Sequence, residues 1–201
     1  TNSGIETSGI GWNNLAFTVR ENHVFNPKLF SNTTFYYSRY NYKLYLSSEK
    51  DMYWMSAIRN MALKTDFSWF LNSGNTIKAG IEAAIHHFDP GNVHLDAGVS
   101  DEAPPVVSQY HSPEYSVYIQ NEQQIGKNLS LRYGLRYSLW QNMGETDIYY
   151  FDVSHHVIDT LHYNKNEIYS TFAHYPEPRF LASYRFSDNL RIKAGYSRTV
   201  Q

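Results

Sequence analysis

The sequence predicts an all-β fold: an antiparallel transmembrane sheet of about eight meandering strands that forms part of a larger barrel. Three observations lead to this prediction. Apolar and polar residues alternate with a period of two, several alternating segments run for ten residues or more, and short turns alternate with long connections. A tilted strand needs roughly 9–11 residues to cross a bilayer, whereas strands of globular proteins average about 5–6 residues.

The composition narrows the class of protein. The chain has 201 residues, a formal net charge of −2 and no cysteine. It therefore offers no disulfide and no thiolate ligand for a metal, and without a basic cluster we expect no nucleic-acid partner. Charged residues make up 18% of the chain, below the ~25% of an ordinary globular domain, while aromatic residues reach 16%. No apolar run approaches the ~20 residues of a membrane-spanning helix, so a membrane location requires strands.

Four strands are predicted in the first half of the chain. Asn14–Glu21 is short and has one apolar face, and Leu29–Leu46 is long, with tyrosines on both faces. Met61–Leu71 alternates cleanly, and residues 76–85 repeat the pattern after a turn at residues 72–75. Because the charges of the last two strands fall on one face, the other face is free to contact hydrocarbon.

Four more strands are predicted in the second half. Tyr115–Ile125 is followed by Leu129–Leu139, in which leucines and tyrosines alternate with arginines, serines and a glycine. Residues 178–186 and Leu190–Ser197 repeat this division between an apolar and a charged face. The charged faces suit a wide, wet or plugged lumen better than the packed interior of a small barrel.

The connections between the strands have two lengths. The short ones consist of residues that favour tight hairpins, and they alternate with the long ones, which puts all tight turns at one end of a meander. Outer-membrane barrels have this asymmetry, with short periplasmic turns and long extracellular loops. The short connections are 26–28, 72–75, 126–128 and 187–189, and the long ones are 47–60, 89–113 and 142–177.

Aromatic residues lie near both predicted ends of the strands. Trp69 and Phe186 come next to tight turns, while Tyr137, Trp140 and Tyr196 come near the long connections. Two aromatic belts at the membrane interfaces would have this distribution.

Two stretches resemble hairpins of TonB-dependent outer-membrane receptors. Tyr115–Trp140 contains a Y-x-Q-(D/N)-E strand, which turns into a strand that ends in G-L-R-Y. Tyr175–Gln201 contains P-R-x-x-x-x-Y followed by G-Y-S-R. The matching residues are Tyr118, Gln120, Asn121, Glu122, Gly134, Leu135, Arg136 and Tyr137 in the first hairpin, and Pro178, Arg179, Tyr184, Gly195, Tyr196, Ser197 and Arg198 in the second.

The resemblance implies a roughly 22-stranded barrel with an N-terminal plug. Such a receptor in the Gram-negative outer membrane takes up a scarce nutrient (a siderophore, cobalamin or a glycan), and the TonB–ExbB–ExbD complex supplies the energy. Residues 1–201 would be a partial barrel domain that lacks the plug, the TonB box and the remaining strands. The chain begins at Thr1 without a leader and ends at Gln201 without a terminal aromatic, and we therefore expect it to be a segment of a longer protein. Its expected partners are outer-membrane lipid, the TonB complex and a small-molecule or oligosaccharide ligand.

Candidate ligand contacts lie in the long connections, since binding residues concentrate on loops held by a rigid scaffold. The last connection also contains two strand-like segments, 148–151 and 157–161, which we expect to form a hairpin above the membrane. Packing of the loops against each other is the alternative role for these aromatic residues. The candidates are Tyr53 and Trp54 in the first connection and Tyr149, Tyr150, Phe151 and Tyr163 in the last.

No catalytic or metal motif is apparent. His86 and His87 are adjacent on a strand, so their side chains are expected on opposite faces, and His155-His156 lie in the longest connection without a ligand spacing. We therefore expect no enzyme activity, no cofactor and no metal site. Two other functions stay open: a soluble, secreted β-sandwich that binds carbohydrate, and a small closed barrel with a structural or adhesive role.

Overall fold

The computed structural model describes residues 7–47, 51–95 and 107–199, which form ten strands. The strands are β1 (Thr7–Asn26), β2 (Leu29–Ser47), β3 (Asp51–Asn72), β4 (Asn75–Leu95), β5 (Tyr110–Ile125), β6 (Leu129–Met143), β7 (Thr146–Phe151), β8 (Val157–Tyr163), β9 (Ile168–Ser187) and β10 (Leu190–Ser197). None of the described residues belongs to a helix long and apolar enough to cross a membrane.

Eight of the strands form one antiparallel sheet in the order β1-β2-β3-β4-β5-β6-β9-β10. The remaining two, β7 and β8, pair with each other in a separate sheet, with Ile148 opposite Leu161. The predicted eight-stranded meander and the predicted hairpin are therefore both confirmed. In the described part of the chain the large sheet is open, with β1 and β10 at its edges.

The strands extend further from the tight turns than the sequence predicted. The prediction of a long connection at 47–60 was wrong. β2 continues to Ser47 and β3 begins at Asp51, and the two strands pair in unbroken register. The other two long connections are also shorter than predicted, since β4 ends at Leu95, β5 begins at Tyr110 and β9 begins at Ile168. Backbone pairing persists where both faces meet water, and there the alternation that marks a membrane strand is lost.

The two faces of the large sheet differ in exposure. On the apolar face, Met61 is 47% exposed, Phe67 is 38% exposed and Leu135 is 47% exposed. On the polar face, Ala62 is 2% exposed and Ser116 is 4% exposed, because side chains crowd together on that side. A sandwich would cover the apolar face with a second layer. No such layer covers it in the described residues, which contradicts the alternative of a soluble sandwich.

Most of the predicted belt aromatics lie on the apolar face. Trp69 is 49% exposed, Tyr137 is 42% exposed and Tyr196 is 61% exposed. Trp140 was wrongly assigned to this belt. It lies opposite Glu114, in the row of β6 that carries Arg136, so its side chain belongs to the polar face.

Candidate functional site

Ion pairs lie on the polar face of the large sheet, some between strands and some within one strand. Arg136 of β6 lies 3.5 Å from Glu82 of β4 and 4.0 Å from Glu114 of β5. Arg179 of β9 pairs with Glu177 at 3.2 Å, and the Glu177 side chain is only 4% exposed. These side chains come from four strands, so the charge layer extends across half of the large sheet.

The layer continues toward the tight turns. Glu122 of β5 pairs with Lys78 of β4 at 3.1 Å and with Arg132 of β6 at 3.2 Å. On β3, Lys64 pairs with Asp66 at 3.2 Å. The charges on this face thus compensate each other, as expected for a wall that lines a polar lumen.

Toward the other end of the strands, the polar face becomes aromatic. His86 of β4 stacks on Trp140 of β6, with 5.5 Å between ring centroids and 10° between ring planes. Phe88 of β4 stacks on Tyr110 of β5 at 4.9 Å. Phe172 of β9 lies opposite Trp140 and is 62% exposed. We call these five residues the vestibule cluster.

A buried polar centre fixes the Trp140 indole. Its Nε1 donates a hydrogen bond to Asn142 Oδ1 at 3.0 Å. The same oxygen accepts a hydrogen bond from Ser112 Oγ at 2.6 Å, and Asn142 Nδ2 donates to Ser170 Oγ at 3.0 Å. Ser112 is 0% exposed, and the other members of this centre are half-buried. The indole is therefore held in one orientation from β5, β6 and β9.

His86 connects the vestibule cluster to the ion pairs. Its Nδ1 lies 2.8 Å from Asn60 Oδ1, while its Nε2 lies 3.6 Å from Glu114 Oε2. Nε2 is buried and has no hydrogen-bond partner among the described residues. A rigid aromatic surface of this kind suits a planar ligand.

The first pair of predicted contact residues does not form one surface. Tyr53 and Trp54 lie in β3 rather than in a loop, and neighbouring residues of a strand face opposite sides of the sheet. The Lys43 ammonium lies 4.4 Å from the centroid of the Tyr53 ring, and Trp54 Nε1 donates to the carbonyl oxygen of Pro90 at 2.9 Å. The prediction that both residues lie in a loop was therefore wrong.

Of the other predicted residues, Tyr163 is linked to the vestibule cluster through Tyr169. The Tyr163 ring packs against Tyr169 with centroids 6.2 Å apart. The pKa of Tyr169 is raised, first by burial and then by the neighbouring phenol of Tyr110, which belongs to the cluster. The other three residues lie on β7 of the separate hairpin. Their side chains are exposed: Tyr149 is 51% exposed, Tyr150 is 46% exposed and Phe151 is 57% exposed.

Polar contacts order the hairpin. His162 Nδ1 lies 2.7 Å from Asp147 Oδ1, and this hydrogen bond raises the pKa of His162. In the hairpin turn, the backbone N–H groups of His156 and Ser154 donate to Asp152 Oδ1 at 2.9 and 2.7 Å. These bonds, led by that from His156, lower the pKa of Asp152.

The histidines form no metal centre in the described ranges, where no group of three or more acidic or histidine side chains is placed to hold an ion. His86 and His87 point to opposite faces, as predicted from their adjacency on a strand. His87 Nδ1 lies 2.9 Å from His111 Nε2 on β5, which is a two-residue contact on the apolar side.

The vestibule cluster was not predicted from the sequence, although one signal was present. The polar row of β4 contains Lys78, Glu82 and Ala84, and two further steps along that row reach His86 and Phe88. Because the predicted strand ends at residue 85, the opposite faces expected for His86 and His87 were not matched to the polar and apolar rows, and Phe88 was assigned to no face. Tyr110 was placed in a loop for the same reason.

Two comparisons with known proteins agree with this architecture. A family model described as an outer membrane beta barrel domain matches residues 60–201. Among solved structures, the ferric-catecholate import receptor Fiu of E. coli K12 in its closed form matches with a TM-score of 0.56 at 11% sequence identity. The match covers 98% of this chain and 33% of that receptor. No curated protein sequence matches the chain. The family model covers more than half of the chain, and the solved structure shows a shared fold.

Proposed function

Because this chain belongs to the outer membrane beta barrel domain family and is located in the outer membrane, we propose that it forms the wall and vestibule of a nutrient uptake receptor. The observation that carries the proposal is the vestibule cluster, which lies on the same face as the ion-paired layer. A ligand held by the aromatic rings would lie directly above a polar, charge-compensated passage. The proposed role is transport, without catalysis.

The open sheet is best explained as one part of a wider barrel. Unpaired backbone groups at a sheet edge are costly in hydrocarbon, so further strands must pair with β1 and β10. The similarity to a third of a large import receptor supports such a barrel. We propose that residues 1–201 are a partial barrel domain, that the complete receptor has about 22 strands and a plug, and that it takes energy from the TonB–ExbB–ExbD complex.

A siderophore is the ligand class that the vestibule cluster fits best. The stacked pairs His86–Trp140 and Phe88–Tyr110 present flat surfaces suited to planar rings such as catechols. The structural match to a ferric-catecholate receptor points in the same direction. Cobalamin and glycans are the competing ligand classes within the same proposal.

The test is an uptake assay with the whole receptor in a Gram-negative host. Labelled ferric-catecholate siderophore, cobalamin and an oligosaccharide are supplied separately to cells that produce the receptor, with and without TonB. We expect accumulation of the siderophore only when both the receptor and TonB are present. Uptake that persists without TonB would contradict energised transport, and uptake of cobalamin or the oligosaccharide alone would correct the ligand class.

A further inference from the structure

A row of basic residues crosses the apolar side of the sheet. Arg39 of β2 lies opposite Arg59 of β3, Arg59 lies opposite His87 of β4, and His87 lies opposite His111 of β5. Neighbouring strands are about 4.8 Å apart, so the row spans roughly 14 Å. We call these four residues the outer basic row.

The position of the row corresponds to the surface of the membrane. The adjacent row lies two positions along each strand, toward the tight turns. It consists of Tyr37, Met61, Ile85 and Pro113, which lie opposite one another in the same register. This apolar row is about 6.6 Å away along the strands. A charge on the lipid face costs little near the interface and much more at the centre of the bilayer. The outer basic row therefore lies at the level of the lipid headgroups.

In the part of the chain that the structure describes, the arginines of the row have no acidic partner, unlike three of the arginines on the polar face. Within the described ranges, no ion pair joins a carboxylate to Arg39 or Arg59, whereas Arg132, Arg136 and Arg179 all pair with glutamates. The recorded bond of Arg39 is donated by Nε to Asn41 Oδ1 at 3.0 Å. Like charges directly opposite each other on neighbouring strands are destabilising unless an anion lies between them.

The surroundings of His87 are also positive. Arg59 lies opposite it on β3, and the neighbouring acidic residue on β4 is Asp89, two positions along the strand. The Asp89 carboxylate already accepts hydrogen bonds from the backbone of Gly91 at 3.1 Å and from Gln109 Nε2 at 3.0 Å. The Asp89 carboxylate thus bonds to groups outside the row, and an external anion would complete the row.

We propose that the outer basic row binds the phosphate groups of an anionic lipid in the outer leaflet of the membrane. The planar guanidinium groups of Arg39 and Arg59 present paired N–H donors that match phosphate oxygens. Basic side chains at a membrane surface attract anionic headgroups. The row lies on the opposite face from the vestibule cluster, so this proposal does not depend on which nutrient the receptor takes up.

The test measures lipid binding to the whole purified receptor in a neutral detergent by native mass spectrometry. The probes are phosphorylated lipid A, the same lipid without its phosphates, and inorganic phosphate. In R39Q/R59Q we expect phosphorylated lipid A to bind about 25-fold more weakly than in the wild type, on the order of fivefold for each arginine. Binding of the dephosphorylated lipid should not change.

A matched control removes the same charge from the other face. R20Q/R191Q changes two exposed arginines near the tight turns, on the side of the sheet that carries the ion pairs. We expect this variant to bind lipid A as the wild type does, and a thermal melt confirms that both variants are folded. Equal binding of the two lipid forms, equal weakening in both variants, or saturation by inorganic phosphate at the same concentration as lipid A would overturn the proposal. If R39Q/R59Q does not fold, R39Q alone is compared with R20Q, and the expected loss is about fivefold.

Discussion

The imidazole of His86 lies parallel to the indole of Trp140 across β4 and β6, at 5.5 Å between centroids. The two rings are not neighbours in the sheet, since β5 lies between them and contributes the small, fully buried Ser112. A small side chain on the intervening strand is what allows the two rings to meet. The contact thus depends on three strands at once.

The first prediction concerns ligand binding at this contact. Replacing Trp140 with alanine removes a ring of the proposed site, and a central aromatic contact typically contributes about 2 kcal/mol, or roughly thirtyfold in Kd. The measurement is equilibrium binding of a ferric-catecholate siderophore to the whole receptor. Tyr137→Leu serves as the control because Tyr137 lies on the lipid side of the same strand. If both variants bind equally well, the vestibule cluster is not the ligand site.

The second prediction tests which face contacts lipid. Leu135→Arg places a charge on the apolar face. It should reduce the stability of the folded barrel in bilayers by about 2–4 kcal/mol if the residue lies near the midplane. Gln120→Arg is the matched change on the polar face of β5, next to the carboxylate of Glu122, and should cost far less. Reversible urea titration of the barrel in lipid vesicles measures both. Equal costs would contradict a difference in lipid contact between the two faces, and a larger cost for Gln120→Arg would show that the faces have been assigned the wrong way round.

The third prediction concerns the ion pairs on the polar face. Arg136→Met leaves Glu82 and Glu114 without their shared cation. We expect the free energy of unfolding to fall by about 1–3 kcal/mol. This is less than for a fully buried pair, because a quarter of the Arg136 side chain is exposed. The same urea titration measures it.

A triple variant provides the control for this charge cluster. This variant combines Arg136→Met with Glu82→Gln and Glu114→Gln. It removes the uncompensated charges and should therefore recover most of the lost stability. A triple variant less stable than Arg136→Met alone would show that the glutamates have favourable contacts besides Arg136.

The sequence predicted the membrane-spanning part of the fold well because lipid imposes a strict alternation on each strand. Leu129–Leu139, for example, was assigned to the correct faces from its pattern alone. Above the membrane the constraint is weaker, since water contacts both faces, and so Tyr53, Trp54 and Tyr110 were placed in loops although they lie in strands. The vestibule cluster was missed because it lies in this part of the sheet. Its contacts join residues of different strands, and a local pattern does not reveal them.

The last prediction concerns the response of the β7–β8 hairpin to pH. Protonated His162 binds Asp147 more strongly than neutral His162 does, which is why its pKa is raised. This contribution to stability is present in full below the pKa of the unfolded state, and it is lost as the pH rises through the pKa of the folded state. Asp152 behaves in the opposite way. Its pKa is lowered, so its contribution is present above the unfolded pKa and is lost as the pH falls through the folded pKa.

The hairpin should therefore be most ordered at mildly acidic pH, between the titration of Asp152 and that of His162. Hydrogen exchange of the peptide covering residues 146–163, corrected for the intrinsic exchange rate at each pH, measures this order in the whole receptor. Asp147→Asn removes the acceptor charge, so it should lower the pKa of His162 and abolish the loss of protection on the alkaline side. The acid-side loss should remain, because Asp152 keeps its bonds to the backbone of His156 and Ser154. Protection that increases in the wild type from mildly acidic to alkaline pH would show that the His162–Asp147 contact does not order the hairpin.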